Sequence, residues 1–204
     1  MPATVDMIIT DAVLAVIESR DADAESALAS LPIPALFDTY DRDRGRVWRG
    51  QGIGIKKMSS TPKPRRSHIP ERVKLDVFRS DAFTCRYAHC RRRTIYLPVL
   101  KVLSALFPEL LPCRRAWAPA REHMIYLLYS TSLEHVVPLA QGGEDARSNW
   151  VTSCYGCNDL KGHLHMEDLE WTLADPASSD WDGLVRFLPQ LQERKATGRA
   201  VASN

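Results

Sequence analysis

No stretch of this 204-residue sequence is apolar for long enough to cross a bilayer. Its longest purely apolar runs, such as Ala12 to Ile17, fall far short of the ~20 residues a spanning helix needs. The N-terminus has no basic n-region, and Asp6 and Asp11 interrupt its apolar residues. A secretory leader is therefore not expected, and the expected location is cytoplasmic with no membrane partner. Internal repeats are lacking as well. Gly50, Gly52 and Gly54 look like half a phosphate loop, but the Lys-Ser/Thr ending and a following helix are missing, which excludes that reading. What is present is ordinary for a globular chain: 45% hydrophobic residues, enough to bury a core, in one domain with additions or one domain plus a small second one.

Charge is scarce only in the sum. The net +2 conceals one arginine against eight acids over residues 1–41, a local −7, and eleven Lys/Arg against two acids over 42–74, a local +9. A basic block beside a catalytic domain suits an arm that tracks phosphates. It equally suits a solvated linker.

Val5, Ile8, Ile9, Ala12, Val13, Val16 and Ile17 recur at helical spacing, and Ala24 to Ser30 begin a second helix that Pro32 and Pro34 stop. Residues 1–41 thus form an acidic helical element, accessory or dimerising. Residues 42–67 are rich in Gly, Pro and Arg and read as a basic linker or arm, with Arg65 and Arg66 near its end. Pro70 suits the first turn of a helix ending near Ser80-Asp81. A short hairpin with Cys85 and Cys90 follows, then a helix over 97–110 closed by Pro112, and an apolar, aromatic stretch from Met124 to Tyr129 that reads as a strand. Leu133 to Leu139 and Asn149 to Ser153 are extended pieces joined through Gln141-Gly142-Gly143, and a helix starts around Cys157. The C-terminal part, 171–204, carries Trp171, Trp181, Leu184, Phe187 and Leu191 and is expected to pack back on the core.

Of the five cysteines, four form two local pairs, Cys85 with Cys90 and Cys154 with Cys157. Where disulfides rarely persist, two turns that each aim two thiolates at one point indicate tetrahedral Zn2+. A redox pair would sit at a strand end in a thioredoxin-like pattern, which does not surround Cys154. His89 is the rival to Cys90 as a ligand. Cys113 has no partner cysteine nearby and is read as structural or incidental.

The most informative residues run from Leu133-Glu134-His135 through Pro138 and Gly142-Gly143 to Asn149, then Cys154-Tyr155-Gly156-Cys157-Asn158 and Lys161-Gly162. This segment resembles the HNH endonuclease family, whose pattern is an acidic residue and His, a Pro, a Gly-Gly turn, an Asn, and Cys-x-x-Cys-Asn/His-x-x-Lys. The resemblance extends over residues 68–163. It implies an α+β fold: a mainly helical chain around a small ββα-metal core stapled by a four-cysteine zinc site, within a nuclease domain at 68–170 that carries an insertion at 91–131. It also implies that His135 is the general base, and that Glu134 and Asn158 hold a catalytic Mg2+ or Mn2+ ion. Asn149 would bond backbone groups across the loop and hold His135 in position. Lys161, one turn beyond Asn158 on the same helical face, would reach a phosphate oxygen. His163 competes with Asn158 for the third motif position, but lies about 140° away on a continuing helix, so Asn158 is preferred. Three features depart from the pattern: Glu134 stands where Asp is commoner, the first pair is Cys-x4-Cys, and the gap from Cys90 to Cys154 is long.

The insertion carries Arg91, Arg92 and Arg93, which either contact nucleic acid with Arg65 and Arg66 or form the polar edge of a packed helix. The function implied is hydrolysis of phosphodiester bonds in DNA, with RNA left open. The alternative is a zinc-stapled nucleic-acid-binding module without catalysis. A purely structural zinc domain would leave the basic block unexplained. If each site nicks one strand, a homodimer would be needed to break a duplex in concert.

Overall fold

The computed structural model describes residues 3–36, 38–39, 68–113 and 124–201. The basic segment 42–67, with Arg65 and Arg66, lies outside the described residues, as do residues 114–123 of the insertion. The architecture is α+β, mostly helical with one small sheet. No helix among the described residues is long and apolar enough to cross a membrane.

Helix α1 (Val5–Ile17) buries Val5, Ile8, Ile9, Ala12, Val13 and Val16, a spacing of three and four that gathers the apolar side chains into one stripe. Helix α2 (Asp21–Ala29) packs on it through Ala24 and Leu28. These two helices do not form a separate core. Their buried residues belong to one hydrophobic cluster with Leu100 and Leu103 of α4 (Leu97–Leu106), Ile125 and Leu127 of α5 (Met124–Tyr129), and Leu184 and Leu191 near the C-terminus. The last helix, α7 (Leu188–Val201), is held to α1 and α2 by Arg194, which donates to the Val16 carbonyl at 3.0 Å and to Asp21 at 2.9 Å.

Helix α3 (Glu71–Ser80) starts after Pro70 and turns Val77 and Phe78 inward. Just past its end, the buried Asp81 joins three parts of the fold. One carboxylate oxygen accepts from the Arg86 guanidinium at 2.7 Å, and the other accepts from the Thr152 amide at 2.8 Å. The expected cysteine hairpin contracts to a single antiparallel bridge between Thr84 and Arg93, with the Cys85 amide bonded to the Arg92 carbonyl at 2.9 Å.

The stretch from Met124 to Tyr129 is helical, α5, and not the strand its composition suggests. Met124 to Leu128 are all buried, and a short apolar run enclosed on every side has no periodicity to separate helix from strand. Its end meets the start of the insertion. Ile95 and Ser130 form a parallel bridge, with the Ile95 amide bonded to the Tyr129 carbonyl at 2.7 Å and the Thr131 amide to the Ile95 carbonyl at 3.0 Å.

Strand β1 (Thr131–His135) pairs antiparallel with β2 (Trp150–Cys154), which places Glu134 opposite Val151 and His135 opposite Trp150. Helix α6 (Tyr155–Lys161) follows β2 at once, and the Cys154 sulfur at its N-terminus accepts from the Cys157 amide. The sheet and α6 form the ββα unit. The segment after α6 returns to the cysteine loop. Ala88 and Ala174 donate to Thr172 and Arg86 carbonyls at 2.9 and 2.8 Å, and Trp181 donates its indole N–H to the Thr94 carbonyl at 2.8 Å.

Candidate active site and metal centre

Alternation along β1 sends Glu134 and His135 to different environments. Glu134 is 3% exposed and points toward α6, where its Oε1 accepts from the Lys161 ammonium at 2.9 Å. The same ammonium donates to the His135 carbonyl at 2.9 Å. Lys161 is itself only 1% exposed. The expectation that it reaches a phosphate therefore needs correcting: its charge is internal, neutralises Glu134, and ties the end of α6 to β1. A lysine whose stem lies along an apolar helix face can bury its charge only beside such a partner.

The loop from β1 to β2 is held by Asn149. Its Oδ1 accepts from the Val137 amide at 2.8 Å, and its Nδ2 donates to the Val137 and Glu144 carbonyls at 2.8 and 2.9 Å. Gly143 must be glycine here, because a Cβ would lie 1.9 Å from the Val137 carbonyl oxygen. This folding carries Asp145 back to β1. His135 Nε2 lies 2.8 Å from Asp145 Oδ1, and the Trp150 indole N–H approaches both, 3.1 Å from Nε2 and 3.2 Å from Oδ1. The two rings meet edge to face at 6.4 Å. Neither Asp145 nor Trp150 stands out in the sequence. The available signal was the pairing of His135 with the residue after Asn149, which follows from counting back from the strand that ends at Cys154.

An open cleft of about 940 Å3 runs past these residues, lined among others by Glu134, His135, Asp145, Asn158 and His163. Asn158 donates from Nδ2 to the Leu133 carbonyl at 3.1 Å, which leaves Oδ1 as the amide atom a hard cation would use. His163 lies in the same cleft because α6 stops at Lys161 and Gly162 takes a positive φ of 53°. The helical angle that separates His163 from Asn158 does not apply once the helix has ended. From the α3 side the cleft is bounded by His68, Ile69 and Lys74.

Arg91, Arg92 and Arg93 are not brought to the cleft. Arg91 donates to the Asp175 carbonyl at 2.8 Å. Arg93 reaches Asp6 at 3.3 Å and lies over the Trp181 ring. Arg92 lies over Tyr129 and donates to Cys154 Sγ at 3.8 Å. Burial opposes its charge, but Cys90 and Cys154 outweigh that and hold the guanidinium more firmly protonated than usual.

The four paired cysteines converge. The sulfurs of Cys85, Cys90, Cys154 and Cys157 all lie within 4.8 Å of one another, and Cys90 and Cys154 are 3.9 Å apart. A ZnS4 tetrahedron with bonds of about 2.3 Å has edges of about 3.8 Å, so the cluster fits a structural zinc ion. Thiol donors from Cys157, Cys85 and Cys90 converge on Cys154 and hold its pKa well below the usual thiol range, whereas burial pushes Cys85 up and the bond to Cys154 pushes Cys157 up. His89 stays outside the sulfur set. Its Nε2 is 3.7 Å from Cys157 Sγ, and its ring lies tilted against Trp171 with centroids 4.2 Å apart. Tyr87, beneath the cluster, packs edge-on to Trp171 at 4.9 Å.

The family model described as HNH endonuclease matches residues 113–164, about a quarter of the chain. That span includes the whole cleft-bearing ββα unit and the second cysteine pair. Cys85 and Cys90 precede it. Neither the curated proteins nor the solved structures gave a match.

Proposed function

Taking the HNH endonuclease segment at 113–164 as premise, we propose that the chain hydrolyses phosphodiester bonds in DNA, with His135 as general base. The likeness of this segment to that family supports a nuclease-type function on a nucleic-acid substrate. The observation that supports the finer reading is the convergence of Glu134, His135 and Asn158 on one open cleft, with the His135 side chain 19% exposed at its wall. A partly exposed imidazole beside a cleft can take a proton from an attacking water. Among the described residues the cleft offers no set of three ionised or imidazole donors as close as the cysteine cluster. A carboxylate and an amide oxygen are hard donors, so Glu134 and Asn158 suit an ion of the Mg2+ or Mn2+ type, which keeps waters and completes its shell with substrate phosphate. When bound, such an ion would stabilise charge on the phosphate and the leaving oxygen. Asn149 holds the loop that closes over His135, and Lys161 fixes both Glu134 and the His135 backbone.

Supercoiled plasmid incubated with Mg2+, Mn2+ or EDTA tests this. Wild-type protein should relax or linearise it only with metal. His135→Ala should lower the rate by on the order of 10²–10⁴-fold while zinc content and DNA binding stay unchanged. Equal cutting by both proteins would refute the assignment of the base.

One observation favours a second reading, a zinc-stapled nucleic-acid-binding module without catalysis. Glu134 already has a buried ammonium against it, so its charge is balanced before any cation arrives. DNA binding without cutting under every metal, with zinc bound and the fold intact, would decide for that module.

A further inference from the structure

An acceptor and a donor compete at one imidazole nitrogen. His135 Nε2 faces both the Asp145 carboxylate at 2.8 Å and the Trp150 indole N–H at 3.1 Å. A neutral imidazole carries one proton, and whichever nitrogen lacks it is the one that can accept. An indole N–H only donates, and a carboxylate only accepts. If Nε2 carries the proton, it donates to Asp145 Oδ1, and the indole, 3.2 Å from the same oxygen, donates there too. Every group is then satisfied. If Nε2 lacks the proton, it faces a carboxylate lone pair, and only the indole contact is favourable.

We propose that Asp145 is a positioning residue that sets the tautomer of His135. By accepting from both Nε2–H and the Trp150 indole, it keeps Nδ1 unprotonated. Nδ1 makes no hydrogen bond among the described residues and is the nitrogen left to take a proton from water. Trp150 is the built-in opponent: without the carboxylate its N–H would be the remaining partner of Nε2 in this trio, drawing the ring's proton onto Nδ1 and disabling the base. The loop that delivers Asp145 is the one Asn149 braces and Gly143 permits, so the carboxylate is presented by a rigid turn. The catalytic part of this inference rests on His135 acting as base. The tautomer does not.

Long-range 1H–15N spectra of the histidine rings at pH about 8.5, where an ordinary imidazole is neutral, read the tautomer directly. A His135→Gln spectrum assigns the signal among the six histidines. Wild-type His135 should carry its proton on Nε2, and Asp145→Ala should move it to Nδ1. Adding Trp150→Phe to Asp145→Ala removes the competing donor and should return the proton toward Nε2. In the plasmid assay Asp145→Ala should lower kcat by on the order of 10²-fold with KM little changed, and the double variant should recover several-fold over the single one. Zinc content and circular dichroism establish that each variant is folded. A wild-type ring protonated on Nδ1, or a double variant with the same tautomer as Asp145→Ala, overturns the proposal. If wild-type protein cuts nothing while the tautomers behave as stated, it is the nuclease reading that fails.

Discussion

The two ends of β2 face different chemistry. At its C-terminal end Cys154 meets three other thiols, four donors of one kind within 4.8 Å, supplied by two segments far apart in sequence. At its N-terminal end Trp150 meets His135 and Asp145, and beyond them the cleft holds two carboxylates, an amide and imidazoles that, among the described residues, do not close into a comparable set. The first end is assembled to hold an ion with protein alone. The second leaves room for water and substrate to complete whatever it binds. A single five-residue strand joins the two arrangements, so the sulfur end underlies the cleft, whereas the cleft end can be disturbed with the sulfur end left standing.

The largest disturbance should come from the sulfur end. Zinc-finger peptides gain about 10–16 kcal/mol apparent from their ion, so Cys154→Ser or strong chelation should unfold the ββα unit and abolish near-UV circular dichroism. Calorimetry in buffers of different ionisation enthalpy should show proton release when zinc enters the metal-free protein at neutral pH. Cys85 and Cys157 are held protonated by their raised pKa and must lose their protons to ligate. Since protons compete for these thiols, zinc affinity should fall as pH falls.

Between the ends, Lys161→Met should cost about 3–5 kcal/mol in denaturant unfolding, because it leaves the Glu134 carboxylate buried without its counter-charge. Adding Glu134→Gln should restore much of that loss. Additive effects of the two substitutions would show that the ion pair carries no coupling. At the cleft end, Asn149→Ala should cost about 1–3 kcal/mol by stripping partners from the Val137 amide and from two carbonyls. It should slow cutting by more than its stability loss explains, since the same loop presents Asp145. Unchanged cutting by a folded Asn149→Ala protein would separate the loop from the chemistry.

The sulfur end was legible in the sequence because zinc demands a fixed donor type at short spacing. The β-turn-β-helix frame was legible because Gly142-Gly143 and Cys154-x-x-Cys157 mark its turns. The cleft was less so. Asp145 acts through a loop whose shape depends on Asn149 reaching back to Val137, and residue spacing alone does not reveal that path. Lys161 looks like a surface charge on a short helix, and its burial is decided by Glu134 on another element. Met124 to Tyr129 is buried on all sides, which erases the polar positions that distinguish a helix from a strand. The apolar stripe of α1 was legible in its helical spacing, but its place in the shared core depends on α4, α5 and the C-terminal residues it meets there.

The bridge between Ile95 and Ser130 bears on how such a chain can change over time. The polypeptide leaves the cysteine loop at one rung and re-enters at the neighbouring rung, so the distance between Cys90 and Cys154 in space is independent of the number of residues between them. Closing a loop costs only about 0.6 kcal/mol more each time its length doubles. Between these two rungs, α4 and α5 are held by the shared core through Leu100, Leu103, Ile125 and Leu127, so the length of chain joining those two helices can change while the four sulfurs and the cleft keep their geometry.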